Sequence, residues 1–96
     1  MRPSQALRVN REAIRAITAR RHVQNVRVFG SVVRGEDTED SDLDLLVDPM
    51  PETTLMDIAA IQVEVAQTLG VQVDVLTPKA LPAKILNRVL REAAPV

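Results

Sequence analysis

Apolar and polar residues alternate along this chain in two rhythms, and each rhythm predicts an element. Over residues 4–19, Leu7, Ile14 and Ile17 fall on one side of a helical wheel and arginines on the other, with Asn10 placed to interrupt the helix and cap a second segment. Residues 26–29 form a short apolar run that Gly30 ends, and residues 31–34 allow one helical turn before Gly35. A polar loop over 36–40 leads into a second strand over 42–47, stopped by Pro49 and Pro51. Residues 55–69 read as a long helix with Thr54 as its cap, Asp57 at the capping-box position and Gly70 as terminator. Its polar stripe is thin, and its apolar positions, including Leu55, Met56, Ala59 and Val63, span far more than the ~100° that one sheet face uses. A second helix or another protein is needed to cover the excess. Val71, Val73 and Val75 alternate with Gln72, Asp74 and Leu76 in a third strand, and a last helix over 82–92 turns Ile85, Leu86, Val89 and Leu90 inward. The expected fold is α/β (α+β), a small mixed three-stranded sheet backed by helices, in one domain over residues 1–96. A chain of this length buries only about 60 to 65% of its unfolded surface, too little to divide between two cores.

Composition narrows the function. Phe29 is the only aromatic residue, so the stacking platforms of single-strand nucleic-acid binders are missing and direct nucleic-acid binding is not expected. The absence of cysteine excludes disulfides and thiolate metal sites and fits a reducing cytoplasm. No signal peptide is visible, and no apolar run approaches the ~20 residues that span a bilayer, so no membrane role is expected. Charge is segregated: Arg2, Arg8, Arg11, Arg15, Arg20, Arg21 and Arg27 precede the first glycine against Glu12 alone, whereas every charge from Glu36 to Asp57 is acidic. Such a chain offers polyanions one face and cations another. His22, at the end of the arginine-rich segment, reads as an ordinary surface histidine.

The chemistry gathers where the acidic segment enters the second strand. Asp42 and Asp44 stand two residues apart and share a strand face, with Cα atoms ~6.5 Å apart. Placing two carboxylates in so apolar a strand costs several kcal/mol each unless they are neutralised, and a divalent cation bound through oxygen does this. Asp74 interrupts the third strand in the same manner, and if the two strands are neighbours three carboxylates converge. Gly30, lacking Cβ, lets a phosphate approach the backbone, and the Ser31 hydroxyl and neighbouring amides can donate to it, with Arg34 one turn on. A calcium loop is the competing reading of Asp-x-Asp, but the glycine and distal glutamate of an EF-hand are missing, and Leu43 and Leu45 favour a strand.

Taken together, Phe29-Gly30-Ser31-Val32-Val33-Arg34-Gly35 and Ser41-Asp42-Leu43-Asp44-Leu45 resemble the signature of the DNA polymerase beta-type nucleotidyltransferase superfamily, and the size is similar to its minimal nucleotidyltransferase branch. The resemblance covers nearly the whole chain. It implies that Gly30 and Ser31 hold the phosphates of ATP, that Asp42 and Asp44 ligate two Mg2+ ions, and that Asp74 is the third catalytic carboxylate. It further implies a HEPN-domain ribonuclease toxin as partner, silenced by transfer of AMP to one of its tyrosines. The chain has no tyrosine of its own to modify. Two other readings compete: an antitoxin that neutralises its partner by binding alone, and a nucleotidyltransferase subunit acting on a small molecule.

Overall fold

A computed structural model describes all residues, Met1 to Val96. Two short helices open the chain, α1 (Pro3–Val9) and α2 (Arg11–Ala19), with Asn10 ending one and capping the next. They are followed by β1 (Val23–Phe29), the single turn α3 (Ser31–Arg34), β2 (Leu43–Pro49), α4 (Leu55–Leu69) and β3 (Val73–Leu76). A 3-10 turn over Pro78–Ala80 leads to α5 (Ala83–Glu92) and a terminal β4 (Ala94–Pro95). The sheet therefore has four strands rather than three, in the order β3-β2-β1-β4. β2 runs antiparallel to β1 and parallel to β3, and β4 adds to the free edge of β1 through Arg27 and Val28.

Strand alternation divides the core between two faces. Val28, Leu43, Leu45, Val47, Val73 and Val75 point to one side, where Ala6, Leu7, Ile14, Ile17, Ile61 and Val65 of α1, α2 and α4 cover them. Phe29 and Leu46 point to the other, under Val89 of α5. This second cover is thin. Of the four residues expected to face inward on α5 only Val89 is fully buried, while Ile85 and Leu90 are exposed, because one short helix spans only part of that face.

Local signals account for most boundaries. The Thr54 hydroxyl accepts from Asp57 N–H, the Asp57 carboxylate accepts from Thr54 N–H, and Gly70 closes α4 in the left-handed region. The surplus apolar face of α4 is only partly covered, by α1 and α2, and leaves Leu55 88% and Met56 77% exposed. β1 starts three residues earlier than its apolar run because Asn25, at φ 53°, forms a bulge that shifts the register between Gln24 and Arg27. β3, in contrast, is shorter than its alternating pattern and begins at Val73.

Candidate active site

β1 delivers the chain to a turn that only glycine fits. Gly30 has φ 78° and ψ −150°, a region closed to residues with a Cβ, and a Cβ built there lies 2.4 Å from Oδ2 of Asp44. The missing side chain thus lets the backbone of the Gly30-Ser31 turn rest against the Asp44 carboxylate. Ser31 opens α3 and is half-exposed, and Arg34 ends it before Gly35 turns the chain away.

The carboxylates meet at the same end of the sheet. Asp44 is registered against Phe29 on one side and against Asp74 on the other, so Asp44 and Asp74 share a face of adjacent strands. Asp42 lies just ahead of β2, which begins at Leu43 rather than at residue 42. Partial burial pushes the Asp44 carboxyl up to about 6, and repulsion from Asp74 and Asp42 adds to the shift, with Arg34 opposing it. A half-buried carboxyl raised first by desolvation and then by neighbouring carboxylates lies where added positive charge is favourable, and its oxygen donors suit a hard divalent cation. Asp42, Asp44 and Asp74 therefore fit as the residues that would hold one. Their side chains do not form a set of three metal ligands: of the three carboxylates expected to converge, Asp44 and Asp74 are in register, while Asp42 lies one residue before β2. An open cleft of about 470 Å³ adjoins Asp42, lined by Glu39, Asp40, Ser41, Gly70 and Gln72.

One participant is invisible in the sequence pattern. Glu92, the last residue of α5, accepts a hydrogen bond from Gly30 N–H at 2.8 Å and receives Arg34 Nη1 at 3.0 and 3.2 Å on its two oxygens. Arg34 Nε also donates to Glu36 at 3.3 Å. Arg34, expected to face phosphates, is thus held between two carboxylates, and these hydrogen bonds keep its guanidinium firmly protonated. The only sequence signal was that Glu92 is the sole acid after Asp74, set among Lys84, Arg88 and Arg91.

Several other charges serve the scaffold. Arg21 pairs with Glu64, Arg27 with Asp48, and Arg11 donates to the carbonyls of Pro95 and Val96, so much of the expected basic face is engaged internally. His22 is exposed and stands 3.4 Å from Asp57, at the start of α4.

The sequence profile of the nucleotidyltransferase domain family matches residues 11–95. The chain is 40% identical over 70 residues to the protein adenylyltransferase MntA of Thermococcus cleftensis, covering 73% of this chain and 71% of that protein. A provisionally named protein adenylyltransferase of Methanocaldococcus jannaschii is 36% identical over 74 residues, 77% of this chain and 80% of that protein. A solved structure with the provisional description of minimal nucleotidyltransferase superposes with a TM-score of 0.87 at 45% identity, over 97% of this chain and 95% of that one. A toxin–antitoxin structure with AMP-PNP shares the fold at a TM-score of 0.76 and 18% identity, over 90% of this chain and 71% of that one. The toxin–antitoxin pair MntA–HepT does so at 0.67 and 16%, over 90% and 68%. With a glycine turn set against paired carboxylates and a family match over almost its whole length, this chain belongs to the nucleotidyltransferase domain family and is an enzyme of that transferase class.

Proposed function

We propose that this protein is a cytoplasmic, Mg2+-dependent protein adenylyltransferase that moves AMP from ATP to a tyrosine hydroxyl of a cognate HEPN ribonuclease toxin and so acts as its antitoxin. The observation that carries the reading is the contact between the Gly30 turn and Asp44, with Asp74 in register beside it. A phosphate chain seated on the turn would lie next to the carboxylates. The names of the relatives, protein adenylyltransferase and toxin–antitoxin, support the protein acceptor and the partner.

In this mechanism Gly30 N–H, the Ser31 hydroxyl and the Arg34 guanidinium hold the β- and γ-phosphates and keep the α-phosphorus beside Asp44. Two Mg2+ ions on Asp42, Asp44 and Asp74 would supply Lewis-acid neutralisation of the phosphate oxygens. The acceptor oxygen attacks the α-phosphorus in line, a new P–O bond forms, the bond to the β-phosphate oxygen breaks, and pyrophosphate leaves. Asp74, on the exposed edge strand, receives the hydroxyl proton. The cleft beside Asp42 is open to solvent. Because this chain contains no tyrosine, a tyrosine acceptor must come from another protein.

The test is to weigh the purified partner toxin after incubation with this protein, ATP and Mg2+, and to assay its ribonuclease activity in parallel. The expected outcome is an AMP adduct on the toxin and loss of its activity, both abolished by Asp42→Asn with Asp44→Asn. Neutralisation that survives the double substitution and leaves the toxin's mass unchanged would establish inhibition by binding alone. An adduct on an aminoglycoside-type small molecule but not on the toxin would point to the small-molecule reading.

A further inference from the structure

Glu92 ends α5 where its own helix gives it no support, because a carboxylate in the last turn faces the negative end of the helix dipole. What holds it is the functional turn. One carboxylate oxygen accepts from Gly30 N–H, and both receive Arg34. Burial alone would push the Glu92 carboxyl up, yet the Gly30 N–H and the Arg34 guanidinium bring it below the ordinary glutamate range, so it is present as an anion. An anion on a backbone N–H and a guanidinium satisfies the same donors that a phosphate oxygen requires. Gly30 has one N–H and can serve one acceptor well.

We infer that the Glu92 side chain is a built-in competitor for the triphosphate seat, bound to Gly30 and Arg34 in the arrangement seen here and displaced when nucleotide binds. The inference rests on the reading of Gly30 and Arg34 as phosphate donors. Release requires rotation of one side chain at a helix end and leaves the sheet intact. The apparent nucleotide affinity is then the intrinsic affinity reduced by the fraction of molecules in which the seat is open. Glu36 also contacts Arg34 but does not contact Gly30, so it contributes charge at the site without occupying the seat.

Calorimetric titration of the full chain with Mg-ATP, and separately with inorganic tripolyphosphate, tests this. Glu92→Ala should bind both ligands about tenfold more tightly than wild type, the factor expected when one net hydrogen bond no longer has to be broken, and Glu92→Gln, whose amide oxygen still accepts from Gly30 N–H without the charge, should tighten binding by less. Arg34→Gln should weaken both, and Glu36→Gln should change affinity far less than the Glu92 substitutions. Unchanged or weaker binding by the Glu92 variants, with Arg34→Gln weakened, would overturn the inference and make Glu92 a positioning residue for Arg34. Equal tightening by Glu36→Gln would also overturn it, since removal of any nearby negative charge would then suffice. If Arg34→Gln binds like wild type, the phosphate-seat reading itself fails and the inference falls with it. Should the Glu92 variants fail to fold, the side-chain NMR signals of Glu92 in the wild-type protein decide: they shift at saturating Mg-ATP if the carboxylate is displaced and stay fixed if it is not.

Discussion

Asp44 stands where its charge is costly, half-buried and facing two other carboxylates, and that cost has a sign that can be tested. A carboxyl raised to about 6 in the fold, against an ordinary value near 3.9, favours folding when neutral. Its contribution is fully present below the ordinary aspartate pKa and is lost as pH rises toward 6. Asp44→Asn should therefore raise the thermal midpoint of the metal-free protein at pH 7 to 8, and the gain should vanish near pH 4. The same substitution should abolish nucleotidyl transfer, a trade of function for stability. Gly30→Ala tests the other side of the contact. It puts a Cβ into the Asp44 carboxylate and forces a residue other than glycine into a glycine-only region, so chemical denaturation should show a loss of about 1 to 3 kcal/mol together with loss of activity. Asp42, Asp44 and Gly30 were legible because the order strand, glycine, acidic loop, strand has few other uses. Glu92 was not, because it lies 62 residues from Gly30 and nothing in a lone acid late in a basic helix says which turn it will reach.

At the level of elements, the acidic loop owes its position to Asp37, the one buried acid of that segment. Its carboxylate accepts Ser4 N–H at 2.8 Å and so satisfies a free donor in the first turn of α1, tying the loop that precedes β2 to the N-terminal helix. Burial would raise this carboxyl, but the hydrogen bonds from Ser4 and the nearby Arg2 bring it below the usual range. The stability it lends is present above the ordinary aspartate pKa and is lost as pH falls through the lowered value. Asp37→Ala should cost about 1 to 2 kcal/mol at neutral pH, with the gap to wild type closing under acid, as pH-dependent thermal unfolding would measure. Helix α4 could be read to its ends because both caps are local in sequence. The bulge at Asn25 could not, since a left-handed asparagine leaves no mark on the hydrophobic pattern. β4 is two residues long and includes a proline, so it becomes a strand only because the edge of β1 is there to pair with it.

Across the whole molecule, α1, α2 and α4 cover one face of the sheet and α5 covers only part of the other, and Asp44 lies on the thinly covered face with Phe29 and Leu46. The wide apolar arc of α4 was legible in the sequence, whereas the extent of its cover depends on where α1 and α2 come to rest. Leu55 and Met56 touch little, so Leu55→Lys and Met56→Lys should leave the unfolding free energy within about 0.5 kcal/mol of wild type. Charge segregation was legible too, but several arginines turn out to be clasped by Glu64, Asp48 and the terminal carbonyls rather than offered to a polyanion. Asp44 and Asp74 stand in register, with Asp42 just ahead and only Arg34 opposing the mutual repulsion at Asp44, and that end of the sheet is the proposed nucleotidyl-transfer centre. The most direct measurement is to follow radiolabel from ATP into the partner toxin in the presence of Mg2+, with the label placed in turn at the α- and the γ-phosphate. The α-label is expected to become covalently attached to the toxin and the γ-label to leave as pyrophosphate, with Asp42→Asn plus Asp44→Asn abolishing the attachment. Transfer of γ-label, or neutralisation of the toxin with neither label attached, would contradict the proposed function.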